Sequence, residues 1–195
     1  MKPVTIASSV RISVKAMPMN MVVCSWPRSS GWRAMASAVL PTMMPMPIIN
    51  ASPISQVCAG TVGRAITPPL AALTPGEPVV LVGSSLGGFV AARAAEMAAA
   101  LPATEAPRIT GLFLLCPAFD LPGYPLDRPE QPLRGSAVQL VHGRHDDIVP
   151  LETSLRAGAD WRGTVTVVED DHPLHASVAV ICNQLRHFLN SLCAD

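Results

Sequence analysis

A serine framed by two glycines, Gly83-Ser84-Ser85-Leu86-Gly87, directly follows the apolar run Val79-Val80-Leu81-Val82. Downstream lie two adjacent aspartates, Asp146 and Asp147, and then the histidines His172 and His175. A hydroxyl, an imidazole and a carboxylate can together do nucleophilic acyl chemistry. The imidazole takes the serine proton, and the carboxylate orients the ring and stabilises its charged form. The order serine, acid, histidine suits a nucleophile elbow, in which a strand runs through a tight Gly-x-Ser-x-Gly turn into a helix. Gly83 and Gly87 permit a turn too tight for side chains, and that turn lifts Ser85 Oγ clear of a sheet.

The elements needed to position these groups are readable. Val79–Val82 is a continuous apolar run, as a strand buried on both faces requires. From Leu86 to about Leu101 the chain carries alanine at 91, 92, 94, 95, 98, 99 and 100, which predicts a helix closed by Pro102. Leu86 would open that helix. Its N–H, together with the helix dipole, would stabilise an oxyanion formed when Ser85 attacks a carbonyl. Ile109–Cys116 is a second apolar run, and Val138–Val141 a third that leads into His142-Gly143-Arg144-His145-Asp146-Asp147. Thr164–Glu169 is β-branched with partial alternation and leads into Asp170-Asp171-His172-Pro173-Leu174-His175. Both candidate partners of Ser85 therefore sit in loops just past strand ends.

Three segments, Gly83-Ser84-Ser85-Leu86-Gly87-Gly88, His142-Gly143-x-x-Asp146-x-x-Val149-Pro150 and Asp171-His172, make the chain resemble the α/β-hydrolase superfamily, and within it small bacterial esterase-like members. The resemblance covers roughly residues 77 to 193. It implies a mostly parallel sheet with flanking helices, with Ser85 as nucleophile, Asp146 as acid and His172 as base. Pro173 departs from the family, which normally has a polar or basic residue after the histidine. The family's first half also supplies early strands and a His-Gly loop that donates a second oxyanion amide. No His-Gly pair precedes Ser85 here. Ser29-Ser30-Gly31-Trp32 resembles such a loop only loosely and follows no convincing strand.

Each assignment has a competitor. Out of context Ser85 is an ordinary turn serine; the strand, glycines and helix around it argue for a nucleophile. Asp147 competes with Asp146, and the one not facing the site is expected to cap a helix beginning at Pro150. His175 competes with His172 and would lie at the start of the last helix. His142, ending a buried strand, and His145, in a polar loop, are read as structural. A metal held by His142, His145, Asp146 and Asp147 is disfavoured, because the residues are adjacent along the chain and no cysteine joins them. No metal or organic cofactor is implied.

At 195 residues the chain is about one domain. It is 49% hydrophobic and 14% charged with zero formal net charge, which argues against a nucleic-acid partner. The five cysteines at 24, 58, 116, 182 and 193 are scattered, with no C-x-x-C pair. That usage suggests a reducing compartment, read here as cytoplasmic, and Cys116 and Cys182 are expected as buried free thiols. The charges are unevenly placed. All 14 acidic residues lie at Glu77 or later, whereas residues 1–76 hold six basic residues and eight of the nine methionines. An export signal is disfavoured by Arg11 and Lys15, which interrupt the first apolar stretch, and a transit peptide, which the arginines, serines and lack of acids fit, suits the length and Met-Pro content less well. Residues 1–65 are therefore expected to be an atypical segment, not a native counterpart of the family's N-terminal half, and residues 66–195 the catalytic core. Missing early strands would leave a sheet edge exposed and invite self-association. No membrane span is expected, since Val39–Ile49 is short and broken by prolines.

Prolines at 117, 122, 125, 129 and 132 preclude a regular helix over Pro117–Arg134. This stretch is either a short cover contributing Phe119, Leu121 and Tyr124 to an acyl pocket or a solvent-facing crossover. Val178, Ile181, Cys182, Leu185, Phe188, Leu189 and Leu192 form one helical stripe for the core. The function expected is hydrolysis of carboxylic esters or thioesters through an acyl-enzyme on Ser85, with a small-molecule ester as partner. The alternative is a catalytically impaired fold of the same kind acting as a binding or scaffold protein.

Overall fold

The computed structural model describes residues 13–17, 21–25, 75–76, 78–121, 128–129 and 135–192, the first two segments as backbone. Within them six strands form one sheet in the order β1-β2-β3-β4-β5-β6. These are β1 (Ser13–Met17), β2 (Met21–Ser25), β3 (Pro78–Ser84), β4 (Arg108–Leu115), β5 (Ala137–Gly143) and β6 (Thr164–Val168). Helix α1 (Leu86–Ala99) links β3 to β4, α2 (Leu151–Asp160) links β5 to β6, and α3 (Val178–Ser191) follows β6. Strands β3 to β6 are parallel, an arrangement that requires a long crossover between successive strands.

Strand alternation divides the apolar residues between two cores. Val79 and Leu81 of β3, Leu112 and Leu114 of β4, and Val138 and Leu140 of β5 pack on one face with the alanines of α1 and with Ala157 and Trp161. Val80, Val82, Phe113, Leu115 and Val141 pack on the other, beneath Ile181, Leu185, Phe188 and Leu189 of α3. With helices on both faces, the central strands read as unbroken apolar runs because both of their sides are buried.

The N-terminal contribution is atypical in direction. Strand β2 runs antiparallel to β3, in register from Met21 opposite Gly83 to Ser25 opposite Val79, and β1 is antiparallel to β2. The expectation that no convincing strand precedes Ser29 is corrected by β2. Met21-Val22-Val23-Cys24-Ser25 does not alternate apolar with polar residues, and pairing with β3 stabilises what local preference does not specify. The β3 edge expected to be open is thus covered. Cys182 is half-buried on α3 and not buried as expected, whereas Cys116 is fully buried. No helix among the described residues is long and apolar enough to cross a membrane.

Candidate active site

Ser85 occupies the turn between β3 and α1 with φ 52° and ψ −122°, a left-handed conformation that costs a non-glycine residue roughly 1–3 kcal/mol. Its surroundings determine that geometry. Ser85 N–H donates to Leu115 O at 2.8 Å, and Ser85 O accepts from the N–H groups of Gly88 at 2.9 Å and Ala118 at 3.0 Å. A Cβ on Gly83 would lie 2.2 Å from Gly87 O, so the strand can enter the turn only as glycine. Leu86 opens α1, where the first N–H groups have no helical carbonyl to bond.

The acid comes from the loop after β5. Asp146 Oδ1 accepts from the N–H groups of Ile148 at 2.9 Å and Val149 at 2.8 Å. Its Oδ2 accepts from His172 Nδ1 at 2.7 Å, and its side chain has 0% exposure. Burial works against ionisation, but hydrogen bonds from His142, His172 and the Val149 N–H outweigh it and hold the carboxyl well below its ordinary range.

The base arrives because the loop after β6 folds onto the end of β5. Arg144 N–H donates to Val168 O at 2.8 Å and His145 N–H to Asp170 O at 3.0 Å. The approach is close: a Cβ on Gly143 would stand 2.5 Å from Asp170 O and 2.6 Å from Asp171 O. Asp170 braces the same loop by accepting from Ser177 N–H at 2.7 Å. His172 Nε2 then lies 2.9 Å from Ser85 Oγ, with its side chain 12% exposed. A carboxylate accepts, so Nδ1 bears the proton and Nε2 is free to accept from the serine hydroxyl. Hydroxyl, imidazole and carboxylate are thus in one hydrogen-bonded line across 87 residues of chain.

The competitors lie elsewhere. Asp147 is exposed, and it does not cap α2 as expected. Pro150 holds that N-cap position without a side-chain cap, and the turn before it is closed by Asp146 Oδ1. His175 is exposed in the turn before α3, and His145 bonds Glu169 at the surface. His142 is fully buried. Phe119 is also fully buried and meets Trp161 edge-on at 5.4 Å, so it packs the core beside α2, and Leu121 is buried with it. Tyr124 and Ser29-Ser30-Gly31-Trp32 lie outside the described residues.

One neighbour went unread as a site residue in the sequence. Cys116, at φ 39° just past β4, bonds Val141 O through its N–H at 2.9 Å. Its sulfur and the nearest ligand-type atoms of Asp146 and His172 all lie within 4.8 Å of one another. Burial, and after it the Asp146 charge, push the thiol well above its ordinary range. A thiol kept protonated beside a carboxylate already taken up by N–H donors suits hydrogen bonding better than a cation, which binds thiolate. Only its place at the end of an apolar strand could have singled Cys116 out.

No family model matches the chain, and no curated protein matches it. Solved structures do. A hydrolase of the α/β superfamily from Xanthomonas campestris pv. campestris is 28% identical, covering 68% of this chain and 69% of its own, with a TM-score of 0.53. A hydrolase from Agrobacterium vitis S4 is 17% identical over 93% of this chain and 99% of its own, at a TM-score of 0.55. A CIB-like hydrolase from Thermoplasma acidophilum is 13% identical over 96% and 100%, at 0.52. The last two speak for the fold alone, and the chain shares that fold with the α/β-superfamily hydrolase from Xanthomonas campestris.

Proposed function

We propose that this α/β-hydrolase-fold protein is a serine hydrolase that cleaves carboxylic esters or thioesters through an acyl-enzyme on Ser85. The observation that carries the reading is the continuous pair of hydrogen bonds, 2.9 Å from Ser85 Oγ to His172 Nε2 and 2.7 Å from His172 Nδ1 to Asp146 Oδ2. Ser85 Oγ attacks the acyl carbonyl as His172 Nε2 takes its proton. The oxyanion is stabilised by the Leu86 N–H at the start of α1. His172 then protonates the departing alcohol or thiol as the carbon–oxygen or carbon–sulfur bond breaks. Water, deprotonated by the same nitrogen, attacks the acyl-enzyme and restores Ser85. Asp146 stays ionised throughout and offsets the charge on the imidazolium.

A fluorophosphonate probe tests this directly. We expect it to label the protein and to leave Ser85→Ala unlabelled. Turnover of p-nitrophenyl acetate to butyrate is expected to be weak, since one oxyanion donor is assigned, and each such donor is worth on the order of a hundredfold in rate. That one donor is assigned among the described residues is also what favours the second reading, a catalytically impaired fold used for binding. Well-folded protein that resists the probe would favour that reading over the first.

A further inference from the structure

We infer that His142 is a positioning residue for the acid, completing a polar line that runs from α2 to the nucleophile. This rests on Asp146 and His172 acting as proposed above. The ring of His142 has 0% exposure and three polar neighbours: Ser154 Oγ at 2.7 Å from Nδ1, Val149 O at 3.0 Å from Nε2, and Asp146 Oδ2 at 3.2 Å from Nε2. A backbone carbonyl can only accept, so Nε2 must carry the proton, and Nδ1 accepts from the Ser154 hydroxyl. Nε2 donates to the Val149 carbonyl, and Asp146 Oδ2 stands 3.2 Å from the same nitrogen.

His142 therefore holds Asp146 twice. It grips the carbonyl of Val149, whose own N–H donates to Oδ1 at 2.8 Å, and it reaches the very oxygen that receives His172. Ser154, fully buried on α2, satisfies the other ring nitrogen by donating its hydroxyl to Nδ1. The remaining polar groups around the carboxylate are the protonated thiol of Cys116 and the Ile148 N–H, with Asp170 on the adjoining loop. Besides His172 Nδ1, His142 Nε2 is the basic nitrogen that stands against Oδ2 among the described residues. Without it Oδ1 is still held by the Ile148 and Val149 N–H groups, but the Val149 carbonyl and Oδ2 lose their brace, and the base loses alignment with Ser85.

The test compares His142→Phe, which keeps the ring volume without an N–H, with His142→Gln, whose amide nitrogen can stand near Nε2. Kinetics on p-nitrophenyl acetate should show kcat falling about tenfold or more in the Phe variant with KM within twofold. The Gln variant should recover most of that loss. Proton NMR gives a readout that needs no turnover. The downfield resonance of the His172 Nδ1 proton should move upfield in the Phe variant, as the carboxylate loses its brace and the Nδ1–H···Oδ2 bond weakens, and return toward its original position in the Gln variant. A folded Phe variant with unchanged kcat and unchanged resonance, or a Gln variant no better than Phe in both, overturns the inference. If the Phe variant does not fold, Ser154→Ala takes its place. Loss of the hydroxyl should lower kcat about threefold and shift the same resonance, and no change in either overturns the assignment. A wild-type protein that resists the fluorophosphonate sinks the serine reading alone, because the resonance still reports the bond.

Discussion

Asp146 is the residue in which burial and charge oppose each other most directly. Its carboxylate has no exposed surface yet remains ionised, because N–H donors reach both oxygens. A carboxyl whose folded pKa is depressed stabilises the fold above its ordinary value of 3.8 and loses that contribution as pH falls toward the folded value. The thermal unfolding midpoint of the native chain should therefore fall as pH drops below about 4, and Asp146→Asn should flatten that decline. The same variant should lose on the order of a thousandfold to ten-thousandfold in kcat, because the amide cannot hold His172 in the required tautomer. A steep acid decline that persists unchanged in the Asn variant would place the titrating group elsewhere. Residue types and order made Ser85, Asp146 and His172 legible in the sequence. The contact of His142 with Asp146 was not, because a buried histidine at a strand end looks the same whether it merely fills the core or grips a neighbour.

Among the elements, α3 depends most on a few large side chains. Phe188 meets Phe113 of β4 at 5.6 Å between ring centroids, both buried beneath the sheet. Phe188→Ala should cost about 3–5 kcal/mol of unfolding free energy in urea, through lost burial and the cavity left behind. A cost below about 1 kcal/mol would mean that α3 is dispensable to the core. The stripe from Val178 to Leu192 was legible because a helix packed on one side must repeat its apolar residues at near-helical spacing. The segment after β4 was less so. Its prolines excluded a helix, but they do not specify that Phe119 turns inward to Trp161, or that Trp161 Nε1–H donates to Pro129 O at 3.2 Å. Aromatic residues in an irregular stretch carry no periodicity from which to read a direction.

For the molecule as a whole, the hairpin of β1 and β2 closes one side of the sheet against β3. Removing residues 1–25 should bare the β3 edge and drive association, seen as a shift to larger species in size-exclusion chromatography. A truncated protein that stays at the size of the full chain would show that β3 needs no such cover. The charge seam at Glu77 was visible in the sequence, but the antiparallel entry of β2 was not. Strand direction and neighbour are decided by which edge is free, and a five-residue segment carries no record of that. The chain alone determined where the strands and helices of residues 78 to 192 fall, because burial on one or two faces imposes a period on the residues themselves. It also determined the chemical types available at the strand ends. Tertiary structure alone decided that the loop after β6 lies on Gly143, that His172 reaches both Asp146 and Ser85, and that His142 stands behind them. Hydrogen bonds between side chains distant in sequence depend on how whole elements pack, and no local pattern encodes that approach.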